Sequence, residues 1–290
     1  MHDWTRATAA QRDEVLRYLA ADPIGCRHVY GELDPDFEKW YATPDEPEPE
    51  LLMVEGWPVL VWGRQTPTVS CTAWTAPTPA AIGAVAELLA EGALNELGAL
   101  GDDVFAALRP CLTDGAWRRG DNYGLMREAF RPRPSPAVRK LTPEDRPAVV
   151  KAQENFAAFQ IFRTGDHSLV CRNFGWMAQG RPVTCYGAFA GEDLVGFCSA
   201  ASSCRAVQEI MLLTVGQGHR RQGLASGMLT VQIQEAFAQG KLVGYHAGGG
   251  AEEGIHGMLM KLGFHRVRYT YRFIPSSTDE QWRASWGTPV

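Results

Sequence analysis

The chain has 290 residues, 45% of them hydrophobic, with 28 Lys and Arg against 33 Asp and Glu and a net charge of −5. That length fits two compact domains, and the mild acidity argues against a general nucleic-acid binder, which needs a basic face. No apolar run approaches the roughly 18 residues of a membrane span, and the start lacks the basic-then-apolar order of a signal peptide, so a cytoplasmic protein with no membrane or nucleic-acid partner is expected. The cysteines (Cys26, Cys71, Cys111, Cys171, Cys185, Cys198, Cys204) are scattered, odd in number and form no Cys-x-x-Cys pair. Reduced structural thiols are therefore expected rather than disulfides, and no metal.

In chain order, Thr8 to Ala20 reads as a helix with Thr8 as cap and Val15, Leu16 and Leu19 as its apolar stripe. Asp45 to Glu50 is acidic, broken by prolines, and reads as a solvated loop. Leu51 to Val54, Val59 to Trp62 and Val69 to Trp74 read as strands, separated by Gly-Trp-Pro and Gln-Thr-Pro punctuation. Helices over Pro79 to Glu91 and Asp103 to Leu112 follow, and Tyr123 to Phe130 closes the half.

Residues 131–136, Arg-Pro-Arg-Pro-Ser-Pro, suit an extended spacer and exclude helix. Beyond it come a strand at Val138 to Leu141 and a helix from Thr142-Pro143 to about Gln160. Residues 161–183 carry Phe162, Phe174, Trp176 and Met177, bulky enough to fill a core or line a pocket. Cys185 to Ala190 and Leu194 to Ala200 flank Gly191-Glu192-Asp193 as a hairpin. Leu242 to His246, a helix from Gly254 to Leu262 and strands over Phe264 to Phe273 complete the second half, and Ser276 to Val290 reads as a poorly ordered polar tail. The order of elements in the first half parallels the second, as in a tandem of related units.

The stretch from Glu209 to Gly240 carries most of the chemistry. Ile210 to Val215 is an unbroken apolar run that suits a strand covered on both faces. After the turn Gly216 to Gly223, the apolar spacing becomes helical through Ala225, Leu229, Ile233 and Phe237, with Gly240 as stop. A helix start offers unpartnered N–H groups and a positive dipole end; glycines admit a phosphate to them, and two arginines add forked donors. A pyrophosphate is the expected guest. A P-loop would need Lys-Ser or Lys-Thr after Gly223, where Leu224-Ala225 stands, and a dinucleotide fingerprint would need glycine at Arg221.

What remains, Arg220-Arg221-Gln222-Gly223-Leu224-Ala225, resembles the Arg/Gln-x-x-Gly-x-Gly/Ala signature of the GNAT superfamily of acyl-CoA-dependent N-acyltransferases, and Met258 to Phe264 looks like that family's helix ending in a Gly-Phe corner. The resemblance implies an α/β (α+β) protein of two GNAT-like domains, each a mixed central sheet flanked by helices. Residues 137–275 would be the acetyltransferase domain, 131–136 a linker and 276–290 a tail. Residues 1–130, which lack the signature, would be a degenerate GNAT-like domain or an unrelated α/β domain. Acetyl-CoA is implied as co-substrate, without metal, and an amine of a small molecule or peptide as acceptor.

The same resemblance implies roles for particular residues. Arg220, Arg221, Gln222, Gly223, Leu224, Ala225 and Ser226 would hold the pyrophosphate, and the backbone at Leu213, Thr214 and Val215 would meet the thioester and pantetheine. Glu209 would be the base, although an acidic residue opening an apolar strand also suits a solvated strand end. Many relatives carry a tyrosine as proton donor where this chain has Leu259, and Glu252 stands where an asparagine is common. Either His256 or Tyr245 would donate, or solvent would. That departure keeps two alternatives open, an acyl-CoA-binding regulatory module without turnover and acyl transfer to a thiol or hydroxyl.

Overall fold

The computed structural model describes residues 4–37, 50–63, 69–72, 75–91, 96–155, 169–247, 253–276 and 288–289. The first series of elements is β1 (Trp4–Arg6), α1 (Ala9–Ala21), α2 (Arg27–Leu33), β2 (Glu50–Val54), β3 (Trp57–Gly63), β4 (Val69–Thr72), α3 (Pro79–Ala90), β5 (Glu96–Leu100), α4 (Asp102–Leu108) and β6 (Gly115–Leu125). The second is β7 (Val138–Lys140), α5 (Arg146–Asn155), α6 (Leu169–Ala178), β8 (Val183–Ala190), β9 (Asp193–Cys204), β10 (Val207–Val215), α7 (Leu224–Ala238), β11 (Leu242–Ala247), α8 (Glu253–Leu262) and β12 (His265–Pro275), after which β13 (Thr288–Pro289) stands alone. The two series repeat the same order. The chain forms two compact units, one of Met1–Asn122, Ala247–Ala251 and Arg266–Val290, the other of Tyr123–His246 and Glu252–His265.

In the first unit the strand order is β1-β2-β3-β4-β5-β12. Neighbours from β1 to β4 are antiparallel, and β4 and β5 are parallel across the α3 crossover. One sheet face, at Leu51 and Leu60, buries Val15 and Leu19 of α1 and Val29 and Leu33 of α2. The other, at Val54, Trp57 and Val59, buries Ala81, Ala84 and Val85 of α3 and Val104 and Leu108 of α4. Thr8 caps α1 in a reciprocal box with Gln11, as its spacing predicts. The β2–β3 turn falls one residue earlier than the Gly-Trp-Pro punctuation suggests: Glu55 (φ 48°) and Gly56 (φ 77°) make the left-handed pair that a two-residue hairpin needs, and Trp57 and Pro58 are already strand. Position 45–49 of the expected acidic loop, Phe162, and the ends of the expected strand at 73–74 lie outside the described residues.

Two features of this unit depart from the sequence-based expectation. The closing strand begins at Gly115, well before Tyr123, because Arg118, Arg119, Asp121 and Asn122 hide its alternation; Asn122 is buried and accepts from Arg27 Nη2 at 2.9 Å. The strand after the Gly-Phe corner belongs here and not with the second half. Tyr271 and Phe273 of β12 are registered with Leu100 and Leu97 of β5, and Tyr271 stacks on Phe105 at 3.9 Å. The tail also carries order, since Thr288 and Pro289 pair with Arg119 and Arg118 of β6.

The second unit has the order β7-β8-β9-β10-β11, antiparallel except for the parallel pair β10 and β11. Helices α5 and α6 cover one face, where Asn173 Nδ2 donates to Ser199 Oγ at 2.9 Å. Helix α7 covers the other, where Gln232 Nε2 donates to Thr184 Oγ1 at 2.5 Å, and α8 packs against α7. The proline-rich stretch lies inside this unit: Arg131 N–H donates to Leu262 O at 2.9 Å and Arg133 N–H to Thr230 Oγ1 at 2.8 Å. No helix forms across residues 131–136, as expected, but the stretch ends in a turn, with Val138 N–H on Ser135 O at 3.2 Å, and its intervening amides tie it to α8 and α7. The corner glycine Gly263 has φ 99°, and a Cβ there would stand 1.9 Å from Ala129 O. Only glycine fits.

Candidate functional site

The turn between β10 and α7 is built from left-handed backbone. A single 3-10 turn, Gln217–His219, leads to extended Arg220; Arg221 then takes φ 62° and Gly223 φ 79°. A non-glycine residue in that region costs about 1–2 kcal/mol, so Arg221 is held there by its surroundings. Gly223 is the helix N-cap and no side chain caps α7, which leaves the first-turn amides of Leu224, Ala225 and Ser226 without an intrahelical acceptor. A Cβ on Gly223 would meet only Ser226 Oγ, at 3.9 Å, so the backbone is open to a close approach. Arg221, Gln222 and Gly223 are exposed, Leu224 is buried in the core, and Ala225 and Ser226 are half-buried. The Ser226 hydroxyl donates to Gly223 O at 2.9 Å.

The start of α3 in the first unit is closed where that of α7 is open. Thr78 caps α3 by accepting from Ala81 N–H at 3.1 Å, and Pro79 at the first helical position has no amide to offer.

The side chain of Arg221 can be separated from its backbone by experiment. Arg221→Gly keeps the left-handed conformation without strain and removes the guanidinium. It should leave the unliganded melting temperature equal or higher, yet weaken coenzyme A binding by roughly 10- to 100-fold, the worth of one charge-assisted contact of about 1.5–3 kcal/mol. Calorimetry with unchanged affinity would place the pyrophosphate elsewhere.

Beside the turn, β10 and β11 separate. Their register runs from Val207↔Leu242 to Ile210↔Tyr245 and stops, while β10 continues along β9 from Leu212↔Ser199 to Val215↔Gly196 after an irregularity at Met211. Burial follows this break: Val207 to Ile210 are buried and Met211 to Val215 only half-buried, so the run expected to be covered on both faces is covered over its first part alone. Gly216 N–H donates to Val195 O, at 2.9 Å. By strand alternation Thr214 also turns toward β9, whereas Leu213 and Val215 turn N–H and C=O to the edge that β11 leaves. Arg220 Nε donates to Val215 O on that edge, at 3.3 Å.

The three expected catalytic side chains are not brought to one point. Glu209 is buried at 8% exposure, in register with Ala201 and Gly244, and faces the α5–α6 side with Ser199. A solvated strand end does not describe it. Tyr245 is registered with Ile210 and faces the α7 side, where burial first, then Cys198 and Tyr123, push its hydroxyl well above the usual tyrosine range. His256 is exposed on α8, and its Nδ1 is hydrogen-bonded to the hydroxyl of buried Tyr123 at 2.9 Å. Leu259, one turn further along α8, is fully buried. Glu252 lies outside the described residues. Nothing in the sequence singles out Tyr123, because only tertiary pairing brings it to α8.

On the α5 side of the turn lies a cleft of 530 Å³ lined by Lys151, Asp193, Gln217 and His219, with Lys151 Nζ 2.6 Å from Asp193 Oδ1. Burial pushes the thiol of Cys185 up to about 12 and that of Cys198 higher, so neither is a thiolate nucleophile near neutral pH. Among the described residues no group of three or more His, Cys, Asp or Glu is arranged to hold a metal ion, and no helix is long and apolar enough to cross a membrane.

No family model matches this sequence, and no curated protein does. Solved structures do. A GCN5-related N-acetyltransferase from Sphaerobacter thermophilus is 15% identical over 96% of this chain and 98% of its own, with a TM-score of 0.62. A tandem GNAT protein from the clavulanic acid biosynthesis pathway is 16% identical over 97% and 100%, with a TM-score of 0.57. An acetyltransferase of the GNAT family from Colwellia psychrerythraea is 13% identical over 94% and 99%, with a TM-score of 0.56. At such identities the likeness speaks for the fold, and the repeated element order agrees with it: this chain has the GNAT fold, twice in tandem.

Proposed function

We propose that the protein is an acyltransferase that binds acetyl-CoA on its second unit and transfers the acetyl group to an amine of a small molecule or peptide by direct attack on the thioester. The observation that carries this reading is the adjacency of two features: an uncapped, glycine-opened helix start with two arginines, and a strand edge freed by the separation of β10 from β11. The first suits a pyrophosphate. The second offers the Leu213 and Val215 backbone to the pantetheine and thioester, over half-buried apolar side chains.

Attack by an amine needs a neutral nucleophile, so an ammonium acceptor must first lose a proton. Glu209 serves as base, directly or through water, from the α5–α6 side of the sheet. Leu259 favours one other reading, an acyl-CoA-binding regulatory module, because a buried leucine stands where relatives place a proton donor. The two readings differ in product. With acetyl-CoA at about 100 times its dissociation constant, both expect a stabilisation of about 2.7 kcal/mol. Only the enzyme releases free coenzyme A thiol when offered an acceptor, and a panel of amines, thiols and alcohols also separates N-acylation from transfer to sulfur or oxygen. Stabilisation without thiol release across the panel would leave the regulatory module.

A further inference from the structure

The departing thiolate needs a proton, and Leu259 has none to give. Three side chains with dissociable protons gather on the α7–α8 side of the second unit: Tyr245, Tyr123 and His256. Tyr245 sits at the last β10–β11 register pair, opposite Ile210, where the strands begin to separate. Tyr123 lies within electrostatic reach of Tyr245 and is 2% exposed, yet its hydroxyl is 2.9 Å from Nδ1 of exposed His256, with the rings tilted at 49° and their centroids 5.8 Å apart. The chain beyond Tyr123 is pinned along α8 by Arg131 N–H on Leu262 O and by the close fit of Gly263 against Ala129. The chain that carries Tyr123 is therefore fastened by backbone to the C-terminal end of α8. The pair joins a buried tyrosine that interacts with Tyr245 to an imidazole in contact with solvent.

We infer that Tyr123 is the proton donor to the leaving thiolate and that His256 is the positioning residue that restores its proton. This rests on the acyltransferase reading above. As the acceptor nitrogen forms its bond to the acetyl carbon, the C–S bond breaks and its electron pair passes to sulfur. The Tyr123 O–H proton moves to that sulfur, giving the free thiol. The His256 Nδ1 proton moves to the Tyr123 oxygen while Nε2 takes a proton from solvent water, so the ring stays neutral, and the proton shed by the acylated nitrogen passes to water, which closes the balance. What sets Tyr123 apart from Tyr245 is its bond to a solvent-exposed imidazole; the place of Tyr245 at the strand junction suits it to wall the site.

The test uses the full chain with acetyl-CoA and the fastest amine from the acceptor panel. Tyr123→Phe removes only the hydroxyl and should lower kcat by about 10²-fold, the lower end of general acid–base catalysis, with acetyl-CoA affinity unchanged by calorimetry. His256→Gln, at an exposed position, should lower kcat less and in the same direction. The decisive readout is the leaving group: with p-nitrophenyl thioacetate, whose thiolate leaves without a proton, Tyr123→Phe and wild type should turn over alike. A Tyr123→Phe protein that keeps wild-type kcat with acetyl-CoA overturns the proposal, as does an equal loss with both thioesters, which marks a structural role. Wild-type protein that releases no thiol with any acceptor overturns the acyltransferase reading itself, and this proposal with it.

Discussion

Glu209→Gln should bind acetyl-CoA as the wild type does and lose about 10²- to 10⁴-fold in kcat/KM near neutral pH, the usual contribution of a positioned base. The substitution keeps size and hydrogen-bonding reach while removing basicity. Glu209 is buried in the strand just before β10 and β11 separate, so it stands close to the edge where the thioester is placed in the proposed reading. It faces the α5–α6 side, away from Tyr245, so in the proposed reading proton removal from the amine and proton delivery to sulfur come from opposite faces of the sheet. Part of the loss should return at high pH, where the amine deprotonates unaided. Because Glu209 is enclosed, melting temperature must be measured beside activity. Wild-type turnover by a stably folded variant would mean that the base lies elsewhere.

Gly263→Ala should be the most damaging single-methyl change in the second unit. The position combines φ 99° with a Cβ site 1.9 Å from the carbonyl oxygen of Ala129 and 2.7 Å from its carbon. Left-handed strain costs about 1–2 kcal/mol, and forcing atoms into an occupied space costs about 1–3 more. The obstacle is backbone, flanked by the 3-10 turn Arg127–Ala129 and by the Arg131 amide bonded to Leu262 O, so it cannot swing aside as a side chain would. A loss of about 2–5 kcal/mol is a large share of a normal domain's stability. Gly257→Ala, within α8 and with nothing within 4 Å of the added carbon, is the control and should stabilise by about 0.5–1 kcal/mol. Denaturant unfolding that finds Gly263→Ala equal to wild type would refute the corner described above.

How much of this was legible in the sequence depended on how local the cause was. The β10–turn–α7 unit is specified by neighbours in the chain, and its apolar run, glycines and helical spacing predicted it. So did the Thr8 cap and the Gly191 hairpin. Arg221 gave no sign of its left-handed backbone, since nothing about arginine favours it. The proline-rich stretch read as a spacer because prolines report conformation, while the acceptors on Leu262 and Thr230 that fasten it are remote in sequence. The burial of Glu209 did not show in the sequence: it stands in register with Ala201 and Gly244, which no spacing rule connects to it. Tyr123 was read only as part of a closing strand, because its partner on α8 is joined to it by folding alone.

The placement of β12 has a consequence for how this protein is made. Asn122 leaves the ribosome long before Arg266, and at 5–20 residues per second the intervening stretch takes on the order of ten to thirty seconds to synthesise. Throughout that interval the nascent first unit lacks Tyr271 and Phe273, and the outer edge of β5 has no β12 to pair with. An open strand edge invites wrong partners, so this is the window in which chaperones have most to guard. The half that is synthesised first is the half that finishes last.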